Sequence, residues 1–333
     1  MKIMGLDLGF RQVKVSTVSK DFTFDSVIGY PSAIELKEEG SHEAKALSNL
    51  SLEYGGTIYY VGEKAIRDTK NSQLTFTADK TDNQTDLLKT LTALGEATDE
   101  ETAEYRIVSG LPVDELGIDG LKEKMISNLT GQYVFKLNNK DRNITVAKVT
   151  IIAQSAGAYY DYILDKTGKL IEDRVQPKII VIDIGFRTTD IVCMENGRYN
   201  PSESFTIYTG VHNIHSELRK LLLKKHRVQK HPTEIDKIMK DGFITLNGAQ
   251  VDLTEEIAAA KKPYAEKILS ELPLYIENLS EVNQFLIAGG GGDAMSDIFL
   301  GAFSSPTELL DHAEEANARG YYKYSLLLTA NGR

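Results

Sequence analysis

The pentapeptide pattern Asp-x-Gly-Phe-Arg occurs twice in this chain, each time at the end of an apolar run. The first copy covers residues 7–11 and the second covers residues 183–187, so they begin 176 residues apart (183 − 7) in a chain of 333. An apolar run, a glycine-containing turn and a second apolar run predict strand, tight turn and strand. Two copies half a chain apart therefore predict two halves built on the same hairpin.

The chemistry of this turn indicates an anionic ligand. Such a turn directs backbone N–H groups into a concavity, and its leading carboxylate, Asp7 or Asp183, stands at the end of a strand. Carboxylate oxygens, water and substrate phosphates are the ligands that Mg²⁺ favours. Two such turns facing one another could hold a polyphosphate and its metal between two half-molecules, which suggests a nucleotide cleft.

Composition excludes several classes of protein. The chain has 41% apolar and 26% charged residues, which is ordinary for a globular protein long enough for two domains. Its net charge of −10 argues against a protein that coats nucleic acid, so we expect no direct DNA binding. The densest basic stretch, residues 219–231, fits a solvated helix face, with a contact surface as the alternative.

Cys193 is the only cysteine, which rules out a disulfide within the chain and argues against cysteine-based zinc or iron–sulfur sites. It lies on an apolar strand, where we expect a small buried side chain. The chain opens with no basic, apolar leader, and no uncharged run approaches membrane-spanning length. We therefore expect a cytoplasmic protein that makes no use of a membrane.

Hydrophobic periodicity predicts alternating strands and helices in both halves. In the first half we expect strands at 1–9, 13–18, 22–24, 105–111 and 144–152, and helices at 86–94, 118–129 and 154–165. In the second half we expect helices at 210–226, 254–279 and about 320–330, a further helix from Ser305-Pro306, a strand at 284–288 and a strand-rich insert at 232–253. Thr254 is predicted to cap its helix, and Pro263 and Pro273 to break or kink it.

These elements predict an α/β fold in which each half has a β-meander, a crossover and a polar insert. We expect a first domain at 1–155, with an insert at about 31–85. We expect a second domain at 156–319, with an insert at about 212–280. The C-terminal helix, 320–333, is expected to pack back on the first domain.

Four glycines, residues 289–292, follow the apolar strand 285–288. Glycine leaves no Cβ between backbone and ligand, and ligands in α/β folds gather at the carboxyl ends of strands. A flexible turn is the alternative interpretation. Neither the Walker pattern nor the dinucleotide G-x-G-x-x-G fingerprint is present, because Asp-Ala-Met follows the run.

Five segments in order resemble the actin, heat-shock-chaperone and sugar-kinase superfamily. They are DLGFRQVK at 7–14 for the first phosphate loop, IAQSAGA at 152–158 for the first connection, DIGFRTTD at 183–190 for the second phosphate loop, IAGGGG at 287–292 for the adenosine motif and NARGYY at 317–322 for the second connection. The resemblance spans residues 7–322. It implies a duplicated actin-like (ribonuclease H-like) two-domain fold with a nucleotide cleft between the domains.

Within this superfamily, the chain looks most like the bacterial plasmid-segregation actin-like ATPases of the ParM/StbA type. Its length, Tyr208-Thr209-Gly210-Val211 before a helix, and Asp241-Gly242-Phe243 in a short insert carry that likeness. The resemblance implies that ATP (or GTP) and Mg²⁺ bind, and that the chain polymerises head to tail into filaments. It also implies a DNA-binding adaptor protein that links the filament to a plasmid centromere.

The resemblance assigns roles to named residues. Gln154 and Asp183 would be catalytic, and Asp7 and Asp183 would hold the hydrated magnesium through water. The residues implied to bind the nucleotide are Asp7, Gly9, Phe10, Arg11, Lys14, Gly185, Phe186, Arg187, Thr188, Gly210, Glu217, Lys220, Gly289, Gly290, Gly291 and Gly292. Gln154 stands where the segregation relatives often carry an acid. A neutral amide can orient water but cannot take its proton, so we expect slow turnover.

Three candidates keep two interpretations each. Asp190 is either a metal-supporting carboxylate or a cap of the strand turn. His212 and His215 have metal-ligand spacing on a helix, but no third ligand is evident. Glu217 and Lys220 fit a ribose or adenine contact and equally a surface salt bridge.

The alternative function on the same fold is a small-molecule kinase acting on a sugar or an acid. A kinase needs a carboxylate base beside the acceptor hydroxyl, and no candidate stands out beyond Asp7 and Asp183. A scaffold that binds ATP at a membrane would need an amphipathic targeting helix, and residues 321–333 are short and end in polar residues. A slow, polymerisation-coupled ATPase is therefore the function that the sequence favours.

Overall fold

The computed structural model describes residues 1–32, 46–70, 72–74, 83–230 and 232–332. The chain divides into two compact units. Unit 1 comprises Met1–Ile171 and Asn317–Arg333, and unit 2 comprises Glu172–Ala316. The predicted division at 155/156 lies sixteen residues before the observed one at 171/172 (171 − 155), because the helix 156–163 packs against strand and helix residues of unit 1.

The strands and helices follow one another along the chain largely as the periodicity predicts. The strands are Lys2–Leu8 (β1), Gln12–Thr17 (β2), Asp21–Asp25 (β3), Val27–Gly29 (β4), Leu50–Tyr54 (β5), Thr57–Val61 (β6), Ser72–Leu74 (β7), Thr102–Leu111 (β8), Gly131–Leu137 (β9), Lys140–Ala153 (β10), Lys178–Ile184 (β11), Thr189–Glu195 (β12), Arg198–Ile207 (β13), Phe243–Leu246 (β14), Ala249–Asp252 (β15), Gln284–Ala288 (β16) and Thr307–Leu309 (β17). The helices are Glu63–Asp68 (α1), Asn83–Glu96 (α2), Val113–Leu116 (α3), Leu121–Leu129 (α4), Ala156–Ile163 (α5), Val211–His226 (α6), Pro232–Asp241 (α7), Thr254–Tyr275 (α8), Gly290–Phe299 (α9) and Ala316–Ala330 (α10).

The sheet of unit 1 begins with the order β3-β2-β1-β8-β10 and continues into β9-β5-β6-β4-β7. Strands β1, β2 and β3 form an antiparallel meander, whereas β1 pairs in parallel with β8, and β8 with β10. Parallel neighbours need a crossover connection. The connection that leads from the meander to β8 includes α2. The core of this unit contains the meander, the leucines of α2 and the inner face of β8.

Unit 2 repeats the same five-strand order, as β13-β12-β11-β16-β17. Its meander is again antiparallel, and β11 pairs in parallel with β16, and β16 with β17. All seven residues of β11 are buried, which is typical of a strand covered on both faces. The repeated order confirms the duplicated α/β architecture predicted from the two hairpin patterns.

Four predicted elements differ from the structure. The insert at 232–253 contains the helix α7 before its hairpin of β14 and β15, because its apolar residues Ile235, Ile238 and Met239 fall at helical spacing. The helix α8 runs through Pro263 and Pro273 without ending, and Thr254 is its first residue rather than its cap.

The other two differences lie at segment ends. The residues after Ser305-Pro306 form the short strand β17, because Pro306 O accepts from Phe285 N and brings the segment to the edge of β16. The segment 118–129 becomes helical only at Leu121, after Gly120 in a left-handed conformation.

Candidate functional site

The first hairpin of unit 1 joins β1 to β2 through a turn that needs glycine at residue 9. A Cβ at Gly9 would lie 2.6 Å from the carbonyl oxygen of Gln12, so any side chain there would force the turn apart. Opposite this turn, Asp7 pairs in register with Lys14. The tight turn therefore places a carboxylate and an ammonium group side by side.

Three side chains meet at the end of β1. Asp7 is buried, with 3% of its surface exposed. Its Oδ2 lies 3.4 Å from Lys14 Nζ, and its Oδ1 accepts a hydrogen bond of 3.1 Å from Gln154 Nε2. The fold brings Gln154 to Asp7 over a separation of 147 residues along the chain. The structure thus joins three of the predicted site residues in one cluster.

The backbone of this turn is tied down on its carbonyl side. Ser26 Oγ donates to Gly9 O at 2.6 Å, and Ser26 N donates to Arg11 O at 2.8 Å. Ser26 is buried between β3 and β4. Fixing the carbonyl groups in this way fixes the plane of the peptide groups, and with it the direction of their N–H groups.

The corresponding turn of unit 2 is tied down by a helix. Gly185 O accepts from Val211 N at 3.1 Å, and Phe186 O accepts from His212 N at 2.9 Å. A Cβ at Gly210 would lie 2.6 Å from Phe186 O, so a glycine is needed where α6 meets the turn. The first N–H groups of α6 therefore bind the turn itself, and Gly210, predicted to bind nucleotide, lies beneath that turn.

Asp183 stands at the end of β11, where Asp7 stands on β1. It is 5% exposed and pairs in register with Asp190, whose Oδ1 accepts a hydrogen bond from Thr206 Oγ1. Lys14 holds the equivalent register position in unit 1. The two hairpins are therefore alike in backbone and different in charge: the first pairs a carboxylate with a lysine, and the second pairs two carboxylates.

The glycine run begins beside Asp183. Gly289 has φ +80°, and a Cβ there would overlap Asp183 Oδ1 and Ile184 O. The helix α9 starts at Gly290, so the run forms a strand-to-helix junction and not a flexible turn. Gly291 and Gly292 are buried within its first turn. This junction brings the backbone to within contact of a buried carboxylate.

Phe186 and the two histidines form an anchor under the second turn. The ring of Phe186 lies 5.6 Å from that of His215 and 6.1 Å from that of His212, between ring centroids. His215 is buried, and its Nε2 lies 3.0 Å from Asp236 Oδ1. Burial is the main cause that lowers the pKa of His212, and the nearby charge of Arg187 lowers it further. Both histidines therefore support the turn.

These residues do not form a metal site from side chains alone. Within the described ranges, no three His, Cys, Asp or Glu side chains are grouped closely enough to hold a metal ion directly. Two other predicted contacts, Glu217 and Lys220, form an exposed ion pair of 3.2 Å along α6. That pair is the surface salt bridge that the i,i+3 spacing allows.

Sequence reasoning did not single out Ser26, Thr206 or the hydroxyl of Tyr321, although each bonds to a predicted site residue or its turn. Tyr321 Oη donates to Gln154 O at 2.7 Å. Ser26 and Thr206 carry no sequence signal, because serine and threonine are common on strands and loops. Tyr321 lies within the second connection motif, but that motif assigns no role to its hydroxyl.

Two family models match this chain in succession. Residues 5–157 match the N-terminal domain of actin-like proteins, and residues 181–300 match the C-terminal domain of the archaeal MreB-like actin homologue. Together the two matches cover most of both units. The chain belongs to the actin-like proteins.

Solved structures of other actin-like proteins share the fold over the whole chain. The apo crystal structure of pSK41 ParM has a TM-score of 0.78 at 22% identity, covering 99% of this chain and 98% of that one. ParM in a 15-stranded filament from Clostridium botulinum has a TM-score of 0.77 at 22% identity, covering 97% and 98%. The archaeal actin homologue Ta0583 in complex with ADP has a TM-score of 0.79 at 20% identity, covering 98% and 99%. The predicted actin-like two-domain α/β fold is thereby confirmed.

No curated protein matches the sequence. Of the helices in the part of the chain that the structure describes, none has the length and apolar character to span a membrane.

Proposed function

We propose that this actin-like protein binds ATP (or GTP) with Mg²⁺, hydrolyses it slowly and polymerises into filaments. The observation that carries the proposal is the cluster of Asp7, Lys14 and Gln154, in which a buried carboxylate holds an ammonium group and an amide beside a fixed backbone turn. We further propose the role suggested by the ParM resemblance, plasmid segregation through a DNA-binding adaptor protein.

Two solved structures of similar proteins support this proposal. Ta0583 was solved with ADP, and ParM of Clostridium botulinum was solved as a filament. This chain shares their fold over at least 97% of its length. The net charge of −10 supports an adaptor, because an acidic protein has no general attraction for the DNA backbone.

The donor groups fit a hydrated Mg²⁺ ion. Asp7 and Asp183 are buried carboxylates at corresponding strand ends, and Mg²⁺ commonly keeps several waters while binding one or two carboxylates and substrate phosphates. Such an ion supplies charge neutralisation at the phosphates when it is bound. Asp190 lies opposite Asp183 and would add negative charge behind it.

Lys14 and Gln154, which both contact Asp7, then have separate roles. Lys14, whose ammonium group lies 3.4 Å from the carboxylate of Asp7, would reach the phosphates. Gln154 would orient the attacking water through its amide, which Asp7 holds in place. The amide cannot take the proton of that water, so hydrolysis is expected to be slow.

In unit 2, the backbone does most of the binding. The turn around Gly185 and Phe186 would receive phosphate on its N–H groups, together with Arg187 and Thr188. Gly289 lets the strand-to-helix junction of α9 approach a ligand without a side chain in between. A Cβ at Gly290 would make only ordinary van der Waals contact, at 3.8 Å from its nearest neighbour, Cβ of Glu314.

The test is nucleotide binding and hydrolysis by the wild-type chain and by Asp183→Asn. The variant has nearly the same shape but lacks the charge that would organise the metal. We expect wild-type binding in the presence of Mg²⁺, and in the variant an unchanged unfolding temperature with hydrolysis reduced at least about 100-fold, the scale on which a metal's charge stabilisation acts. Wild-type turnover in Asp183→Asn would contradict the metal assignment, and a wild-type chain that binds no nucleotide would contradict the proposed function.

A further inference from the structure

The helix α10 reaches the candidate catalytic glutamine through one hydroxyl group. Tyr321 is fully buried, and its Oη donates to the main-chain oxygen of Gln154 at 2.7 Å. The side chain of Gln154 donates to Asp7 Oδ1 at 3.1 Å. Gln154 is thus held at its main-chain oxygen by α10 and at its side-chain amide by Asp7, at the end of β1.

Glycines make room for this contact. A Cβ at Gly110 would overlap the hydroxyl of Tyr321 and lie 2.6 Å from Gln154 Cα. A Cβ at Gly5, two residues before Asp7 on β1, would overlap Ala318 O of α10. Neither glycine has a left-handed backbone, so both are needed for space rather than for conformation. The helix therefore lies directly against β1, which carries Asp7, and against β8, whose last residue, Leu111, accepts a hydrogen bond of 2.8 Å from Gln154 N.

The position of α10 is fixed by its pairing with α5. A Cβ at Gly320 would overlap Gly157 O, so the two backbones touch where the helices meet. Asp161 of α5 is buried and lies 2.6 Å from Arg319 and 2.8 Å from Lys323 of α10. Two cations on one buried carboxylate prevent α10 from sliding along α5, which keeps Tyr321 in register with Gln154.

We infer that Tyr321 is a positioning residue for the amide of Gln154, so that α10 sets the rate at which a bound nucleotide is hydrolysed. The inference rests on the proposed function. Gln154 begins the segment before α5, and its carbonyl oxygen also accepts from Gly157 N at 3.0 Å. Without the hydroxyl of Tyr321, the main-chain oxygen of Gln154 loses the hydrogen bond that it accepts from α10. The side-chain amide of Gln154 then samples more orientations relative to Asp7.

The first measurement compares wild type with Tyr321→Phe. The phenylalanine ring still fills the space beside Gly110, so only the hydroxyl is removed. We expect kcat for hydrolysis to fall about fivefold, which is what one hydrogen bond of about 1 kcal/mol supports. The Kd for a non-hydrolysable ATP analogue is expected to stay within about twofold, because the phosphate-binding turns are unaltered.

Tyr322→Phe is the matched control, because it removes the same atom from the next residue of the same helix. Tyr322 is half-buried, and burial raises the pKa of its hydroxyl, with a further rise from the charge of Asp21 on β3. We expect it to retain wild-type kcat. The double variant Gln154→Ala/Tyr321→Phe should hydrolyse nucleotide at the rate of Gln154→Ala alone, because the positioned amide is already gone.

Deuterium exchange of the nucleotide-free protein tests the contact without any turnover. Tyr321→Phe is expected to speed exchange at the Gly157 amide, whose acceptor is Gln154 O, while Tyr322→Phe leaves it unchanged. Wild-type kcat and wild-type exchange in Tyr321→Phe would overturn the inference. So would an equal loss of kcat in the Gln154→Ala background, since the tyrosine would then act elsewhere. If the wild type hydrolyses no nucleotide, the proposed function fails, and the exchange result still decides whether Tyr321 holds Gln154.

Discussion

At the scale of single residues, the second hairpin depends on the absence of one methyl group. Gly289 adopts φ +80°, and a Cβ there would overlap the carboxylate of Asp183. The next residue, Gly290, is the first residue of α9, and a Cβ there would lie 3.8 Å from its nearest neighbour. A side chain is therefore excluded at Gly289 and tolerated at Gly290, so the two adjacent glycines form a matched pair for mutation.

Gly289→Ala is expected to lower the free energy of unfolding by about 2 kcal/mol, because alanine is strained in the left-handed region and displaces Asp183. It should also weaken nucleotide binding. Gly290→Ala should leave stability unchanged or raise it by up to about 1 kcal/mol, since alanine favours a helix. Denaturant unfolding of both variants checks the pair. Equal stability of the two variants would contradict the assigned geometry.

The single cysteine should be chemically silent in the folded protein. Burial, with a smaller effect of Glu203, raises the pKa of the Cys193 thiol to about 12. The thiolate is the reactive form, so at pH 8 alkylation is expected to be at least about 100-fold slower in the native protein than in the denatured one. A coloured thiol reagent measures both rates. Rapid reaction of native protein would show that β12 is accessible.

At the scale of elements, a buried ion pair holds a bulge in the strand β13. The register of β12 and β13 shifts between Ile191 and Cys193, which pair with Phe205 and Asn200. Inside the bulge, Glu203 Oε2 lies 2.6 Å from Lys178 Nζ of β11. β13 is an edge strand, and bulges are common at sheet edges.

This ion pair makes stability depend on pH. Burial is the largest influence on the pKa of Glu203 and raises it, but the hydrogen bond and charge of Lys178 together with the hydrogen bond of Cys193 hold the pKa below its ordinary 4.5. Because the folded pKa is lowered, the carboxylate contributes stability above about pH 4.5, and that contribution is lost as the pH falls through the folded pKa.

Glu203→Ala is therefore expected to cost about 3 kcal/mol at pH 7, because Lys178 is left buried without its partner. The difference from wild type should shrink on acidification below pH 4.5. Glu195→Ala is the control, since Glu195 is exposed on the neighbouring strand and should change stability by less than about 0.5 kcal/mol. A variant that is as stable as wild type at pH 7 would contradict the role of the pair.

The elements that sequence did not predict share one cause, which is context beyond the local pattern. Proline is unfavourable inside helices, yet α8 continues through Pro263 and Pro273 because Ile257, Ala260 and Ile268 are buried against the core of unit 2. The strand β17 forms because it completes the edge of β16. Packing of this kind outweighs local preference and is not visible in a single sequence.

At the scale of the whole molecule, the repeated hairpin was enough to predict the duplicated fold. The pattern predicted two equivalent strand-turn-strand units, and the strand order repeats in both. The cluster of Asp7, Lys14 and Gln154 was predictable only in part. Local spacing joins the first two residues, whereas Gln154 is 147 residues away from Asp7, and only the resemblance to actin-like proteins brought it into the site.

The most direct test of a nucleotide-dependent actin-like filament is negative-stain electron microscopy combined with sedimentation at micromolar protein. With ATP or GTP and Mg²⁺, the wild-type chain is expected to scatter light, to pellet and to show filaments. The same sample with a chelator in place of Mg²⁺ should stay in the supernatant. Monomers alone, over a wide range of protein, salt and nucleotide concentrations, would contradict the proposed function.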